Sequence, residues 1–302
     1  MKIGVVVPQG WVGEYDGWDP LAAWKRTTEV AQQADRLGFE SIWLFDHFHT
    51  VPRPTDEITF ESFTTLSALA ALTNRVRLGH VVICTAFRKP ALAAKMISTM
   101  DTISGGRMEL GIGAGWKRDE WLAYGYGFPE TRERLARLAD DLEVISAMLA
   151  GDKHQHATFD GQYSGVRDAI NVPKPIQRPR VPIMVGGNGP NVTWRLAARF
   201  ADELNVDGLS PDEVREALAT IRARCEEIDR DPATLTISVH IWTETASIPG
   251  QRRVDLLASY REVGVDRVMG LDKRSASSDE ALEALAEDAR KAGIELGAQT
   301  GA

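Results

Sequence analysis

From Met1 onward the chain repeats one pattern: apolar residues at helical spacing, then a glycine or turn, then a short run apolar at both parities. Leu21–Leu37 with Gly38 precedes Ser41–Phe45, Phe60–Leu72 precedes Val76–Ile83, and Pro90–Ile103 with Gly105 and Gly106 precedes Met108–Ile112. Thr131–Leu149 then leads to Pro182–Val185, Val192–Phe200 to Leu204–Val206, and Pro211–Ile228 to Leu235–Ile241. Arg252–Val263 with Gly264 leads to Val265–Met269, and Ser278–Ala292 closes the series. With an opening run at Ile3–Val7 this predicts eight strands, each followed by a helix. Runs apolar on both faces are expected of parallel strands covered on both sides. Strict alternation through eight repeats predicts an α/β chain folded as a (β/α)8 barrel, with a doubly wound open sheet as the alternative. No linker-like change of composition divides residues 1–302, so one domain is expected.

Helix punctuation supports these boundaries. Ser210-Pro211-Asp212-Glu213 reads as a capping box with Pro at the first helical position, and Asp19-Pro20 opens the first helix similarly. Three connections are long: Gln9–Pro20, His47–Thr59 and an insertion at Ala150–Arg180. Connections of this length are commonly lids or binding loops, and the first two follow strands directly.

Composition narrows the function. With 35 basic and 43 acidic side chains the net charge is −8, the wrong sign for a nucleic-acid protein. Cys84 and Cys225 are far apart, so neither a disulfide framework nor a cysteine metal site is suggested. The N-terminal apolar run meets Pro8 at once, too short for a signal peptide, and no stretch approaches the roughly 18 apolar residues of a membrane helix. A cytoplasmic protein is expected.

In a barrel, chemistry gathers where strands end. Those points carry Gln9, Gly10 and Trp11; Asp46 and His47; Cys84 and Thr85; Gly113, Gly115 and Trp116; and Gly186, Gly187, Asn188 and Gly189. Asn205, then Trp242 and Glu244, then Asp272 and Lys273 complete the rim. Glycines, aromatics and a few polar groups suit a large flat ligand. His47 and His49 have the spacing of a metal pair, but only His240 lies on a later strand, so the ligand count argues against a metal. The chemical reading is an acid–base His47 helped by Asp46; the structural reading is a polar cap on a strand end. Gly111-Ile112-Gly113-Ala114-Gly115-Trp116 breaks the dinucleotide fingerprint at Trp116, and Lys117–Glu120 do not start an apolar helix. Gly186-Gly187-Asn188-Gly189-Pro190-Asn191 leads from a strand into a helix, a natural anion site. Around it Lys174, Arg178, Arg180, Arg195 and Arg199 occur without an acid, either steering an anionic tail or forming a solvated face. His154 and His156 fall in the long insertion and read as surface residues.

Taken together, several segments resemble the luciferase-like monooxygenase superfamily, in particular its branch that uses the deazaflavin coenzyme F420. They are Ser41-Ile42-Trp43-Leu44-Phe45-Asp46-His47, Leu78-Gly79-His80-Val81-Val82-Ile83-Cys84-Thr85, Arg88-Lys89-Pro90 and Asp101-Thr102-Ile103-Ser104-Gly105-Gly106-Arg107. Leu110 to Trp116 and Pro182 to Gly189 complete the set, in order along nearly the whole chain. The resemblance implies a barrel with the coenzyme ring in its mouth and the phosphate at the Gly186–Gly189 loop. It implies a non-prolyl cis peptide at Val81–Val82 behind the ring, with Cys84, Thr85, Gly113, Gly115 and Trp116 nearby, and Asp46 and His47 as the active-site pair. It also implies a homodimer. Sugar-phosphate dehydrogenases of this branch carry a glutamate proton donor where this sequence has Trp116, which argues against that substrate. The expected activity is hydride transfer between F420 and a small organic substrate, with His47 handling the proton and Asp46 orienting it. The alternatives are an oxygen-dependent monooxygenase using reduced FMN, and a non-catalytic flavin- or deazaflavin-binding protein.

Overall fold

The computed structural model describes residues 1–242 and 247–298. In chain order the elements are β1 (Lys2–Val6), α1 (Pro20–Leu37), β2 (Ser41–Leu44), α2 (Ser62–Leu72), β3 (Arg77–His80), β4 (Ile83–Cys84), α3 (Pro90–Ser104) and β5 (Met108–Gly113). There follow α4 (Arg118–Ala123), α5 (Thr131–Leu149), β6 (Ala157–Asp160), β7 (Gly165–Ala169), β8 (Ile183–Gly186), α6 (Thr193–Phe200) and β9 (Glu203–Asp207). Then come α7 (Pro211–Glu226), β10 (Thr236–Ile241), α8 (Gln251–Glu262), β11 (Arg267–Gly270) and α9 (Glu280–Lys291).

All pairings in the main sheet are parallel, in the order β3-β2-β1-β11-β10-β9-β8-β5-β4, and contact of β3 with β5 closes the ring. β3 and β4 are two halves of one barrel strand, interrupted by a cis peptide between Val81 and Val82. Counted that way the barrel has the eight strands expected. The caps match as well: Ser210 and Glu213 form the reciprocal capping box, and Asp19 accepts from the amides of Leu21 and Ala22.

Two features depart from the sequence reading. The insertion carries its own antiparallel hairpin, β6–β7. A short helix, α4, starts within 117–120, where none was expected. Its six residues leave no room for an apolar period.

Alternate residues of each strand feed two cores. Ile42 and Leu44 of β2 face the helices, while Trp43 and Phe45 face the barrel axis. Trp43 fits there because Gly79 leaves room: a Cβ at that position would lie 2.2 Å from the indole. Below Trp43 the N-terminal end is floored by charge, with Arg267 hydrogen-bonded to Glu109, Glu203 and Glu40. Burial drives Glu203 upward to about 7, outweighing the Arg267 attraction, whereas Arg267 and Arg77 together overcome burial and pull Glu109 down. A cavity of about 550 Å³ opens beside this floor, but it lies at the end of a barrel where residues serve stability rather than chemistry. Among the described residues no helix is long and apolar enough to cross a membrane.

Candidate active site

At the opposite end, β2 runs out through Phe45 into Asp46 and His47. The His47 ring is walled by aromatics: Trp11 stacks on it at 5.5 Å and 12°, and Trp116 meets it edge-on at 5.9 Å. Trp11 in turn touches Phe45 and Trp242. Trp11 is buried, whereas Trp116 is 59% exposed and forms the outer lip. The buried indole N–H of Trp11 has no acceptor among the described residues.

The carboxylate holding His47 is not Asp46. His47 Nδ1 lies 2.9 Å from Glu120 Oε2, and the other oxygen of Glu120 accepts the Phe48 amide at 2.6 Å. Glu120 is 1% exposed and belongs to α4. That helix forms where Asp119 and Glu120 complement the dipole of its first turn, and its Trp121 locks into a cluster with Cys84 and Phe87. The residue before that anchor is thereby turned toward His47. Sequence reasoning missed Glu120, 73 residues away from its partner.

Asp46 points the other way. It accepts from Ser62 Oγ at 2.8 Å, the Cys84 amide at 2.9 Å and Arg88 at 2.8 Å. Arg88 also bonds Glu61 and lies 4.2 Å above the Phe63 ring. Asp46 thus ties the end of β2 to α2 and to the turn after β4, and the expectation that it orients His47 is corrected. The side chains of Cys84 and Thr85 are likewise committed outside the mouth: Cys84 packs with Phe87 and Trp121, and Thr85 Oγ1 donates to Asp141 of α5. Burial raises the Cys84 thiol, so it stays protonated.

Val81, Val82 and the glycines do come together. A Cβ on Gly113 would fall 2.9 Å from a Val82 methyl, and one on Gly186 2.8 Å from the other. Only glycine lets the strands close on Val82 from both sides, leaving a flat ledge beneath the mouth. Gly115, at φ +76°, passes so close to Cys84 and Trp121 that a side chain there would overlap them. Past Gly186 the backbone swings through Gly187 at φ +132° and Gly189 into the N-terminus of α6. The Asn188 amide does not reach into this loop. Its Nδ2 donates to the Asp207 carbonyl at 2.9 Å and its Oδ1 accepts the Asp207 N–H at 2.8 Å, pinning the loop to β9.

The acid-free stretch resolves as a mostly neutralised surface. Arg180 pairs with Asp202, Arg195 with Glu227 and Arg199 with Glu143, while Lys174 and Arg178 donate to backbone carbonyls. The acids lie just beyond the stretch or across the fold, so three of the five cations are neutralised and Lys174 and Arg178 keep their charge. His49 Nδ1 lies against the Thr50 carbonyl, and among the described residues no group of three or more His, Cys, Asp or Glu could hold a metal ion. Glu244 lies outside the described residues.

A cradle of three glycines, a ledge and a histidine–carboxylate pair on one rim fits a planar phosphate-bearing ring, and the chain's relatives bear on which ring. It is 36% identical over 178 residues to an F420-dependent glucose-6-phosphate dehydrogenase of Kineococcus radiotolerans, covering 59% of this chain and 50% of that one. It is 31% identical over 213 residues to the enzyme of the same name from Amycolatopsis mediterranei, covering 67% and 62%. The chain thus matches about half to three-fifths of these relatives' length. Among solved structures, an F420-dependent secondary alcohol dehydrogenase in complex with an F420–acetone adduct superposes with a TM-score of 0.78 at 18% identity, over 94% of this chain and 98% of that one. The luciferase-like monooxygenase family model matches residues 1–299, and the chain belongs to that family.

Proposed function

We propose that this protein is an oxidoreductase that uses coenzyme F420 to move a hydride to or from a small organic substrate. The observation that carries the reading is the convergence, on one rim, of the His47–Glu120 pair, the aromatic wall and the ledge of Val81 and Val82 flanked by Gly113 and Gly186. The names of the relatives from Kineococcus and Amycolatopsis support the choice of coenzyme.

When bound, F420 supplies the hydride chemistry; the protein contributes binding, orientation and control of water. The Val82 ledge would back the ring. The Gly186–Gly189 loop and the start of α6 would offer the phosphate backbone N–H groups other than those of Gly187 and Trp194, which are bonded to Asn205 and Gly189. His47, with Nδ1 engaged by Glu120, keeps Nε2 free to give or take the proton that accompanies the hydride. Trp11, Phe45 and Trp242 exclude water around that exchange. Asp46 holds the end of β2, and Gly115, Cys84 and Thr85 hold the neighbouring turn against α4 and α5. The barrel and its inserted hairpin act as one domain, in a cytoplasmic homodimer as the family resemblance implies.

The test is a side-by-side titration of the protein with F420 and FMN at fixed salt, followed by turnover with reduced F420. Tight F420 binding with weak FMN binding is expected. Preferential FMN binding with oxygen consumption would replace this reading with a monooxygenase. F420 binding without turnover of any carbonyl, enone or sulfur compound would leave a binding protein.

A further inference from the structure

His47 is not the only histidine facing the aromatic slot. His240 of β10 contacts Phe45 at 5.9 Å and Trp242 at 6.0 Å, and its side chain is 11% exposed. Phe45 and Trp242 belong to the same wall that holds Trp11 and His47. The hydrogen-bond partners of His240 define its role. Nδ1 lies 2.8 Å from Asn205 Oδ1 and Nε2 lies 3.0 Å from Asp207 Oδ1. Asn205 spends its Nδ2 on Ser238 Oγ at 2.9 Å, and the Ser238 hydroxyl points on to the Met184 sulfur at 3.8 Å. That chain leaves Asn205 Oδ1 as an acceptor, so both ring nitrogens of His240 face oxygen acceptors.

The two sides differ in what they can release. Asn205 is buried, so the Nδ1–H is committed. Asp207 is half-exposed, its backbone is pinned to the glycine loop by Asn188 and its carboxylate also bonds the Trp242 side chain, so it can release Nε2 and keep a donor without disturbing β9. Burial pushes the Asp207 carboxyl up, but the bond and charge of His240, helped by the bond from Trp242, outweigh it and hold Asp207 low.

Resting on the F420 reading above, we propose that His240, fixed by Asn205 and Asp207, is the second polar contact to substrate and selects an uncharged ketone or secondary alcohol over a phosphorylated one. The Nε2–H passes from Asp207 to the substrate oxygen when the slot fills. An anionic substrate would meet the Asp207 carboxylate at the same rim. Three of the cations around the mouth are paired, Arg88 by Asp46 and Glu61, Lys117 by Asp119 and Arg274 by Asp272.

The experiment compares wild type, His240→Gln and Asp207→Asn. Each is first titrated with F420, then assayed with F420 against a panel of uncharged ketones and secondary alcohols and against glucose 6-phosphate. Wild type should turn over uncharged probes and prefer them to glucose 6-phosphate. His240→Gln should raise KM for those probes at least tenfold, with F420 affinity within twofold of wild type. Asp207→Asn should narrow the preference at least threefold. Should His240→Gln fail to fold, the half-exposed Asp207→Asn decides alone, and an unchanged preference overturns the proposal. A His240→Gln KM within twofold of wild type, or a wild-type preference for glucose 6-phosphate, also overturns it. F420 binding without turnover of any uncharged probe overturns it while sparing the coenzyme assignment. Failure to bind F420 overturns both.

Discussion

Replacing Glu120 by Gln isolates what the carboxylate does for His47. The two oxygens of Glu120 face two nitrogens, Phe48 N at 2.6 Å and His47 Nδ1 at 2.9 Å. The Phe48 amide can only donate, so in Glu120→Gln the single remaining oxygen stays on Phe48. The new NH2 group must then face His47 Nδ1, which has to accept, and the ring proton moves to Nε2. In that tautomer the nitrogen facing the mouth already carries a hydrogen, and protonation of the ring would set two donors against each other at Nδ1. His47 can no longer take up a proton at Nε2. An amide that forces the wrong tautomer behind a catalytic imidazole lowers kcat by about 10⁴-fold in serine proteases. His47 is held less tightly here, by one buried bond, so a loss on the order of 10³-fold is expected, about 4 kcal/mol in the barrier. The Phe48 bond survives, so the Tm should fall only slightly. Glu120→Ala should be worse for stability, because the buried His47 ring and the part-buried Phe48 amide lose their acceptor, at about 1–3 kcal/mol for a buried donor.

The assay is reduction of F420 by a secondary alcohol, the direction in which His47 takes up the proton at Nε2, together with imidazole ¹⁵N shifts of the apo-protein, which read the tautomer without any substrate. The expected spectrum shows Nδ1–H in the wild type and Nε2–H in Glu120→Gln. A variant that keeps more than a tenth of wild-type turnover while its ring has switched tautomer would refute the assignment of proton transfer to His47. A ring still protonated at Nδ1 would refute the geometry from which the switch was worked out.

Three further outcomes are expected. Gly186→Ala places a methyl 2.8 Å from Val82, so the ledge must shift at about 1–3 kcal/mol, and F420 affinity measured by fluorescence should drop at least tenfold. Arg88→Met strips the cation from buried Asp46, and chemical denaturation should show a loss of about 3–5 kcal/mol; a loss under 1 kcal/mol would remove Asp46 as the clamp of β2. Glu203 holds its proton in the folded state up to about 7, against 4.5 for an ordinary glutamate, so its contribution is full below that lower value and drains as pH rises to about 7. Glu203→Gln should therefore flatten the fall in unfolding free energy between pH 5 and 8, by at most about 3 kcal/mol; parallel curves would place the proton elsewhere.

The barrel was legible because most strands read as short apolar runs and α1 and α7 carry side-chain caps at Asp19 and Ser210, information confined to a few consecutive residues. Leu204–Val206 and Val265–Met269 needed nothing distant to be recognised. The hairpin in the insertion had a weaker signal, the alternation of Ala157 and Phe159 before Asp160-Gly161, and was read only as a long loop. The five cations between Lys174 and Arg199 left two readings open for the converse reason: Asp202 and Glu227 lie outside that stretch, and Glu143 comes from α5. A charge run can be counted locally, but its neutralisation is tertiary. Nothing in residue types alone marked the cis bond at Val81–Val82, which followed from the family resemblance.

The Asp46-His47 pair shows most clearly where local reading stops. Side chains alternate across a strand, so two consecutive residues cannot both face the mouth. Trp43 and Phe45 point to the axis, and His47 continues that face; Ile42 and Leu44 point to the helices, and Asp46 continues theirs. An orienting group for His47 therefore had to come from another element, above the strand end and across the mouth. α4 meets that requirement because the turn after β5 is built of glycines and its Trp121 is anchored in the cluster around Cys84 and Phe87. The same rule gives His240 its partners, since Asn205 and Asp207 sit two apart on β9 and share one face beside it. In this barrel, then, the side-chain partners of His47 and His240 are set by which neighbouring element shares their face, and not by proximity along the chain.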